Sequence, residues 1–190
     1  LRNSLLPQMV DTLGQNRARQ VQDAAFFEIG RVFFVPDAAA AAGHIVDRPP
    51  AGPAAAEARP AAEMDVLAVG LMGAAGRPPL DQRRPVQDEE AWLWLKGILE
   101  NLCRMMKFDL PGNARGPFHA AALRLAPAEE APSGFDWPNR AAFAPGRGFA
   151  VLLDGRPIGR AGLIRPGLRQ EWRIHEPLAA AELAVAPLLA

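Results

Sequence analysis

The chain has 190 residues, no formal net charge, 49% hydrophobic and 22% charged residues, which predicts a globular protein of one domain. A neutral chain argues against binding driven by nucleic-acid phosphates, and no apolar run is long enough to span a membrane. The single cysteine, Cys103, excludes an intramolecular disulfide and fits a reducing cytosol, so we expect a cytoplasmic protein. Because the chain begins at Leu1 without a methionine, we expect it to be part of a longer polypeptide.

A helix is predicted over residues 1–19. Asn3 or Ser4 can cap its start, and Pro7 falls in the first turn, where a missing N–H has no intrahelical partner anyway. The apolar residues at helical spacing, which we expect to form its core face, are Leu6, Met9, Val10 and Leu13.

The next segment, Asp23–Val35, has the β-branched and aromatic content of a long strand. Side chains alternate across a strand, and here both faces are largely apolar. That pattern is typical of a central strand covered on both sides. We therefore expect Phe27, Ile29 and Phe33 to pack beneath a helix, and we expect Phe27→Ala to cost about 3–5 kcal/mol.

Two charged residues interrupt this strand. Glu28 and Arg31 are three residues apart and point to opposite faces, so each needs its own partner. We expect Glu28 to be buried. A structural ion pair with an arginine is the favoured interpretation, because an arginine can bind a carboxylate through two hydrogen bonds; catalysis or ligand contact is the alternative.

Residues 36–63 change composition abruptly, with five consecutive alanines at Ala38–Ala42 and repeated prolines. Proline fixes φ and removes a hydrogen-bond donor, so this segment is neither a long helix nor an inner strand. We interpret it as a loop insertion between neighbouring strands of one domain, covering 1–190. A partner-binding arm is the alternative.

The second half predicts one long helix and more strands. Asp88 is expected to cap the helix, and the apolar stripe of the helix consists of Ala91, Leu95, Ile98, Leu99, Leu102 and Met106. Strands are predicted at Met64–Ala74, Phe118–Leu125, Gly148–Leu153, Arg156–Ile164 and Ala181–Val185. Asp154-Gly155 is a strong hairpin signal, and a short helical turn is expected after Arg165-Pro166-Gly167. The pattern predicts an α+β fold with a mainly antiparallel sheet flanked by helices.

Catalytic and metal-binding patterns are missing from the sequence. The three histidines are far apart, and none has metal-ligand spacing. Cys103 lies near the buried stripe of the long helix and is expected to behave as a small hydrophobe rather than as a nucleophile. The acidic run Asp88–Glu90 fits a helix N-terminus better than a metal site. We therefore predict no catalytic residue, cofactor site or metal site.

Several segments nevertheless form a recognisable series. The first is Leu1-Arg2-Asn3-Ser4-Leu5-Leu6-Pro7, and the second is Phe27-Glu28-Ile29-Gly30-Arg31-Val32-Phe33. Later segments are Leu95-Lys96-Gly97-Ile98-Leu99-Glu100, Pro145-Gly146-Arg147, Gly162-Leu163-Ile164-Arg165-Pro166 and Ala181-Glu182-Leu183. In content and order they resemble the β subunit of bacterial phenylalanyl-tRNA synthetase.

The resemblance implies a class II aminoacyl-tRNA synthetase-like domain that has lost its active site. It implies a role in supporting the α subunit and the (αβ)₂ assembly during ATP-dependent charging of tRNA with phenylalanine. The expected partners are the α subunit and the rest of the β subunit, with tRNA bound only through the assembled enzyme. No cofactor is expected in this domain, although the whole enzyme is expected to use ATP and Mg. The structural or interface candidates are Arg2, Phe27, Glu28, Gly30, Arg31, Lys96, Gly97 and Arg147.

Two other functions stay open at this point. One is an active class II-like ligase or transferase domain; an active site of that class carries a Gly-rich strand that contains an arginine near the end of the domain, whereas the corresponding strand, Ala181–Val185, has neither residue. The other is a generic interaction module that shares only the fold. Ligand binding distinguishes the first alternative, and the identity of the partner distinguishes the second.

Overall fold

The computed structural model describes residues 2–34, 62–75, 84–106, 123–131 and 140–189. Three α-helices lie within these ranges: α1 (Leu6–Ala18), α2 (Asp88–Met105) and α3 (Pro166–Glu171). Six strands accompany them: β1 (Ala24–Phe34), β2 (Ala62–Met72), β3 (Leu123–Pro127), β4 (Phe143–Leu153), β5 (Arg156–Ile164) and β6 (Leu178–Ala184). None of these helices is long and apolar enough to cross a membrane.

The strands form one sheet in the order β1-β2-β6-β5-β4-β3, and every neighbouring pair is antiparallel. The predicted α+β class and antiparallel sheet are therefore confirmed. β2 pairs with β1 along its whole length, as predicted. The last strand of the chain, β6, lies between β2 and β5 and joins the two halves of the sheet.

The predicted central position of the first strand is wrong. Among the described strands β1 lies at the edge of the sheet, with β2 as its neighbour. Phe27 is 74% exposed and Ile29 63% exposed, so neither packs beneath a helix. The reason is that α2 packs mainly on β6, β2 and β5, and leaves its side of β1 uncovered. The large cost expected for Phe27→Ala in the isolated domain therefore does not follow.

Each face of the sheet carries one of the two longer helices, packed over a hydrophobic core. On one face the predicted stripe of α1 is buried against β2, β1 and β6. On the other face the buried residues of α2 are Ala91, Leu95, Leu99 and Cys103. This stripe is narrower than predicted, because Ile98 is 38% exposed. Trp92 extends the second core by stacking on Phe149 of β4, with ring centroids 4.3 Å apart.

The hairpin between β4 and β5 forms as predicted. Asp154 and Gly155 both have positive φ, at 51° and 76°, as a two-residue type I′ turn requires. β4 begins at Phe143 rather than at Gly148, because a bulge of Ala144–Arg147 separates two paired regions of the strand. The helical turn expected after this hairpin is α3.

The ends of other elements differ slightly from expectation. The N-cap of α2 is Gln87, and Asp88 is its first helical residue. Leu5 occupies the N-cap of α1, one residue after Ser4. Residues 36–61 of the predicted insertion lie outside the described ranges, as do 118–122 of the predicted third strand. The strands on either side of the insertion pair with each other.

Candidate interaction surface

Arg2 binds the edge strand with both its side chain and its main chain. Its Nη1 lies 3.2 Å from Glu28 Oε1, and its Nε donates to the Arg31 carbonyl oxygen at 2.9 Å. Its own carbonyl oxygen accepts the Phe33 N–H at 2.8 Å. The partner of Glu28 is thus an arginine, as predicted, and it comes from the segment that precedes α1.

Gly30 belongs to the same cluster. A Cβ added to Gly30 would lie 2.6 Å from Arg2 Nη2, so the missing side chain lets the guanidinium approach the strand. The expected burial of Glu28 is wrong, since its side chain is 30% exposed and that of Arg2 is 40% exposed. The pair lies at the rim of the sheet, where water screens the charges.

The opposite face of β1 carries Phe27, Ile29 and Arg31. Phe27 lies beside Val69 of β2, and Ile29 lies beside Leu67. The Arg31 guanidinium is held by two carboxylates of β2, with Nη1 2.8 Å from Glu63 Oε2 and Nε 3.1 Å from Asp65 Oδ1. Asp65 and then Glu63 raise the pKa of Arg31. Glu28 and Arg31 therefore have separate partners on opposite faces, as predicted.

The outer edge of β1 presents hydrogen-bonding groups as well as apolar side chains. The Phe33 N–H and the Arg31 carbonyl point away from β2, because both bond to Arg2. Backbone groups alternate in direction along an antiparallel strand, so those of Ala25, Phe27 and Ile29 also point outward. Among the described residues, only Arg2 pairs with this edge. We call residues Ala25–Ile29 the β1 edge segment.

The remaining candidates lie on other elements. Lys96 and Gly97 are in α2, where Lys96 pairs with Glu100 at 3.6 Å and a Cβ added to Gly97 would meet nothing within 4 Å. Arg147 is in the bulge of β4, and its Nη2 lies 2.9 Å from Glu89 Oε1. In the part of the chain that the structure describes, no hydrogen bond or ion pair joins these residues to β1.

The acidic start of α2 serves as an anchor for three other segments. Each of its three carboxylates pairs with a different arginine: Asp88 with Arg169 (3.2 Å), Glu89 with Arg147 (2.9 Å) and Glu90 with Arg84 (3.0 Å). The pKa of Glu89 is lowered, first by a backbone N–H at the helix start and then by Arg147. These pairs support the interpretation of a helix N-terminus over that of a metal site.

A buried polar cluster was missed from the sequence. Glu182 of β6 is 1% exposed, and Arg160 of β5, directly opposite it in the register, is 2% exposed. Glu182 accepts the Ser4 hydroxyl at 2.8 Å and the Leu5 N–H at 2.6 Å, and the Ser4 Oγ accepts the Leu6 N–H at 3.1 Å. The cluster holds the start of α1 on the sheet. The sequence feature that could have revealed this cluster is a single carboxylate within an otherwise apolar strand.

The His, Cys, Asp and Glu residues of the described part of the chain include no group of three that could hold a metal ion. Burial, and then Glu100, raise the pKa of Cys103 to about 11, so the thiol stays protonated at neutral pH. One cavity of about 300 Å³ is lined by Asp23, His175 and other residues. A second, of about 370 Å³, is mostly apolar and lies between α1 and α3.

The sheet order and its flanking helices define the class II aminoacyl-tRNA synthetase fold. Two solved structures of the pyrrolysyl-tRNA synthetase from Desulfitobacterium hafniense align over the whole chain, with TM-scores of 0.53 and 0.56. They share 12% and 14% sequence identity with it, and the alignment covers 49% and 48% of their chains. At that identity the likeness concerns the fold alone.

The family is defined by sequence. Residues 1–185 match the family model of the phenylalanyl tRNA synthetase beta chain CLM domain, and the chain belongs to this family. It is 27% identical over 189 residues to the phenylalanine–tRNA ligase beta subunit of Symbiobacterium thermophilum and 30% identical to that of Geobacillus kaustophilus. The whole chain aligns, and it spans 16% and 18% of the length of these relatives. The resemblance stated from the sequence is confirmed.

Proposed function

We propose that this chain is a non-catalytic domain of a phenylalanine–tRNA ligase, which supports the α subunit and the (αβ)₂ assembly. In this proposal the active site, with its ATP and Mg, lies in the α subunit, and the assembled cytoplasmic enzyme binds tRNA. The observation that carries the proposal is the exposed apolar face of β1. It adjoins the Arg2 cluster, which is built from residues of the first two family segments.

The exposure of this face has an energetic meaning. Burying a Phe or Ile side chain contributes about 1.5–3 kcal/mol, and the isolated domain forgoes most of that at Phe27 and Ile29. Single exposed apolar residues are common on protein surfaces, but here two lie on one edge strand beside outward-pointing backbone groups. A partner that covers them recovers the burial energy, which is what an assembly domain requires.

The interior of the sheet supports a non-catalytic role. β6 contains neither glycine nor arginine, whereas an active class II site carries a Gly-rich strand with an arginine there. Its charged residue, Glu182, is used to hold Ser4 and Leu5. Calorimetry of the chain with ATP and with phenylalanine should give no heat of binding. Micromolar affinity for either ligand would favour an active ligase or transferase domain instead.

Assembly is tested in the full β subunit, co-expressed with its α subunit. Phe27→Asp combined with Ile29→Asp should weaken the complex at least about 30-fold, the equivalent of about 2 kcal/mol for a buried anchor residue. Analytical ultracentrifugation measures the complex, and charging with phenylalanine should fall with it. Leu93→Asp, on the 60%-exposed Leu93 of α2, is the matched control and should assemble normally. An unchanged complex with the double variant would contradict the proposal.

A further inference from the structure

We infer that the apolar cavity between α1 and α3, together with the arginines around it, binds a single-stranded segment of RNA, with one base in the cavity and the neighbouring phosphates on the arginines. This inference rests on the proposed function, in which the assembled enzyme binds tRNA. It adds that this domain contacts the RNA directly, which a role in assembly alone does not require.

The cavity has apolar walls and one large aromatic ring. Its volume is about 370 Å³, and it is lined by α1, by the short helical turn Arg140–Ala142 and by α3 with the residue that follows it, Trp172. Trp172 packs against Gly14 of α1, where an added Cβ would lie 3.2 Å from the Trp172 Cβ, yet 38% of Trp172 is exposed. Every nucleobase can stack on an aromatic side chain, because every base has a π face. The exposed ring is therefore a stacking surface for a base.

Three exposed arginines lie around this cavity. Arg165 lines it, and its N–H donates to the Ala142 carbonyl oxygen at 2.9 Å, which joins the start of α3 to the turn. Arg140 begins that turn, and Arg173 directly follows Trp172. In the part of the chain that the structure describes, none of the three guanidinium groups pairs with a carboxylate. Each is therefore available to an anionic ligand.

The placement of these charges favours a nucleic acid. Arg165 precedes the first residue of α3 and Arg173 follows its last turn, so positive charges occur at both ends of this helix. In a nucleic-acid strand a phosphate likewise lies on either side of each base, and phosphates bind arginine through charge-assisted hydrogen bonds. The chain as a whole is neutral, so this local patch supplements other contacts of the enzyme with RNA. An acidic protein segment is the rival occupant, and losing it would change assembly rather than tRNA affinity.

Glu171 also lines the cavity, and its carboxylate sets a preference among bases. A carboxylate accepts a hydrogen bond from an exocyclic amino group, as in its contact with cytosine N4. Cytosine carries such a group and uracil does not. The assembled enzyme should therefore bind oligocytidine more tightly than oligouridine of equal length, and Glu171→Ala should reduce that preference. An unchanged preference would overturn the placement of a base in the cavity.

The arginines are tested with a phenylalanine tRNA transcript and the full β subunit assembled with its α subunit. Arg140→Ala, Arg165→Ala and Arg173→Ala together should weaken binding at least about tenfold and lower the slope of log Kd against log salt by about 2, because each single-strand phosphate contributes about 0.7. Arg165→Ala alone should lower this slope by about 0.7. Its matched control is Arg156→Ala, since Arg156 is also exposed and unpaired in the described chain but lies roughly 30 Å away, at the other end of β5. The control should change neither affinity nor slope.

Sedimentation of the same complexes separates this inference from the proposed function. A triple variant that assembles normally but binds tRNA with unchanged affinity and salt dependence would overturn the inference and leave the proposed function standing. A triple variant that loses the α subunit would mean that the arginines bind protein, which also overturns the inference. If the unaltered chains do not assemble, the proposed function fails and the inference falls with it.

The aromatic ring is tested by two substitutions of Trp172. Trp172→Phe keeps a ring for stacking, whereas Trp172→Leu keeps only apolar volume. Binding of tRNA should be at least about fivefold weaker with Leu than with Phe, as expected for the loss of one stacked base. Because Trp172 also packs on Gly14, the unfolding midpoints of both variants are measured, and the exposed arginines provide a test that does not depend on this packing. Equal tRNA binding by the two variants would overturn the inference.

Discussion

At the residue scale, Glu182 illustrates how a single buried carboxylate can organise the start of a helix. It accepts hydrogen bonds from the Ser4 hydroxyl and the Leu5 N–H just before α1 begins, and it is itself almost completely buried. Glu182→Ala should lower the free energy of unfolding by about 2–5 kcal/mol, because two buried donors lose their acceptor. Urea denaturation measures the loss. Glu130→Ala, at a glutamate whose side chain is 59% exposed, is the control, with an expected cost of about 0–1 kcal/mol; equal effects would contradict this role.

Glu28 is expected to contribute far less than Glu182 to the stability of the fold. Its pair with Arg2 is partly exposed, so Glu28→Gln should cost about 0–1 kcal/mol rather than the several expected for a buried charge. Charging by the whole enzyme should fall no further than the folded fraction. The unfolding midpoint and the aminoacylation activity should both be measured on the Glu28→Gln variant. A large loss of charging with the fold intact would place Glu28 at the functional interface.

The two glutamates also show where residue-level prediction reached its limit. The arginine partner of Glu28 could be anticipated, because nearly all basic residues of this chain are Arg. The exposure of Glu28 could not be anticipated, because it depends on whether the strand lies at the edge or at the centre of the sheet. Glu182 sits in an apolar run much as Glu28 does, yet it is the one that the neighbouring strands enclose.

At the element scale, the start of α2 should respond to acid. The lowered pKa of Glu89 means that its carboxylate stabilises the fold above its ordinary pKa of about 4.5, and that this contribution is lost as pH falls through the lowered value. Arg147→Ala should raise the pKa of Glu89 only part of the way back, because the backbone N–H at the helix start is the larger cause. An NMR titration of the Glu89 carboxyl in both proteins measures this change in pKa.

The matched control for this titration is Arg124→Ala. Arg124 pairs with Glu130, away from α2, so its removal should leave the titration of Glu89 unchanged. A pKa of Glu89 that does not move in Arg147→Ala, or that moves equally in both variants, would show that the ion pair has no part in the shift.

Elements with a local cause were predictable. The stripe of α1 has helical spacing, and Asp154-Gly155 supplies the positive φ values that a tight hairpin needs. The position of β1 has no local cause. Apolar residues on both faces fit a strand covered by its own chain and equally a strand covered by another subunit. In our proposal, Phe27 and Ile29 belong to the second case.

At the scale of the whole molecule, the strand order was beyond a residue-by-residue reading. Hairpin neighbours such as β4 and β5 follow from a short turn, but β6 enters between β2 and β5, whose positions in the chain are far apart. The family resemblance supplied the class of fold, because it compares the order of motifs along the entire chain. The antiparallel sheet and the similar solved structures confirmed that class of fold, and the family model confirmed the family over residues 1–185.

The position of β6 in the sheet also determines how late in synthesis the edges of its neighbouring strands can be paired. During synthesis β2 emerges from the ribosome long before β6, and β5 emerges shortly before it, so β2 exposes an open edge for most of the time until residues 178–184 arrive. Such distant pairings close slowly, on the order of milliseconds to seconds in small domains rich in them. Both cores then consolidate together, because β6 contributes Leu178 and Ala180 to one and Ala181 and Leu183 to the other.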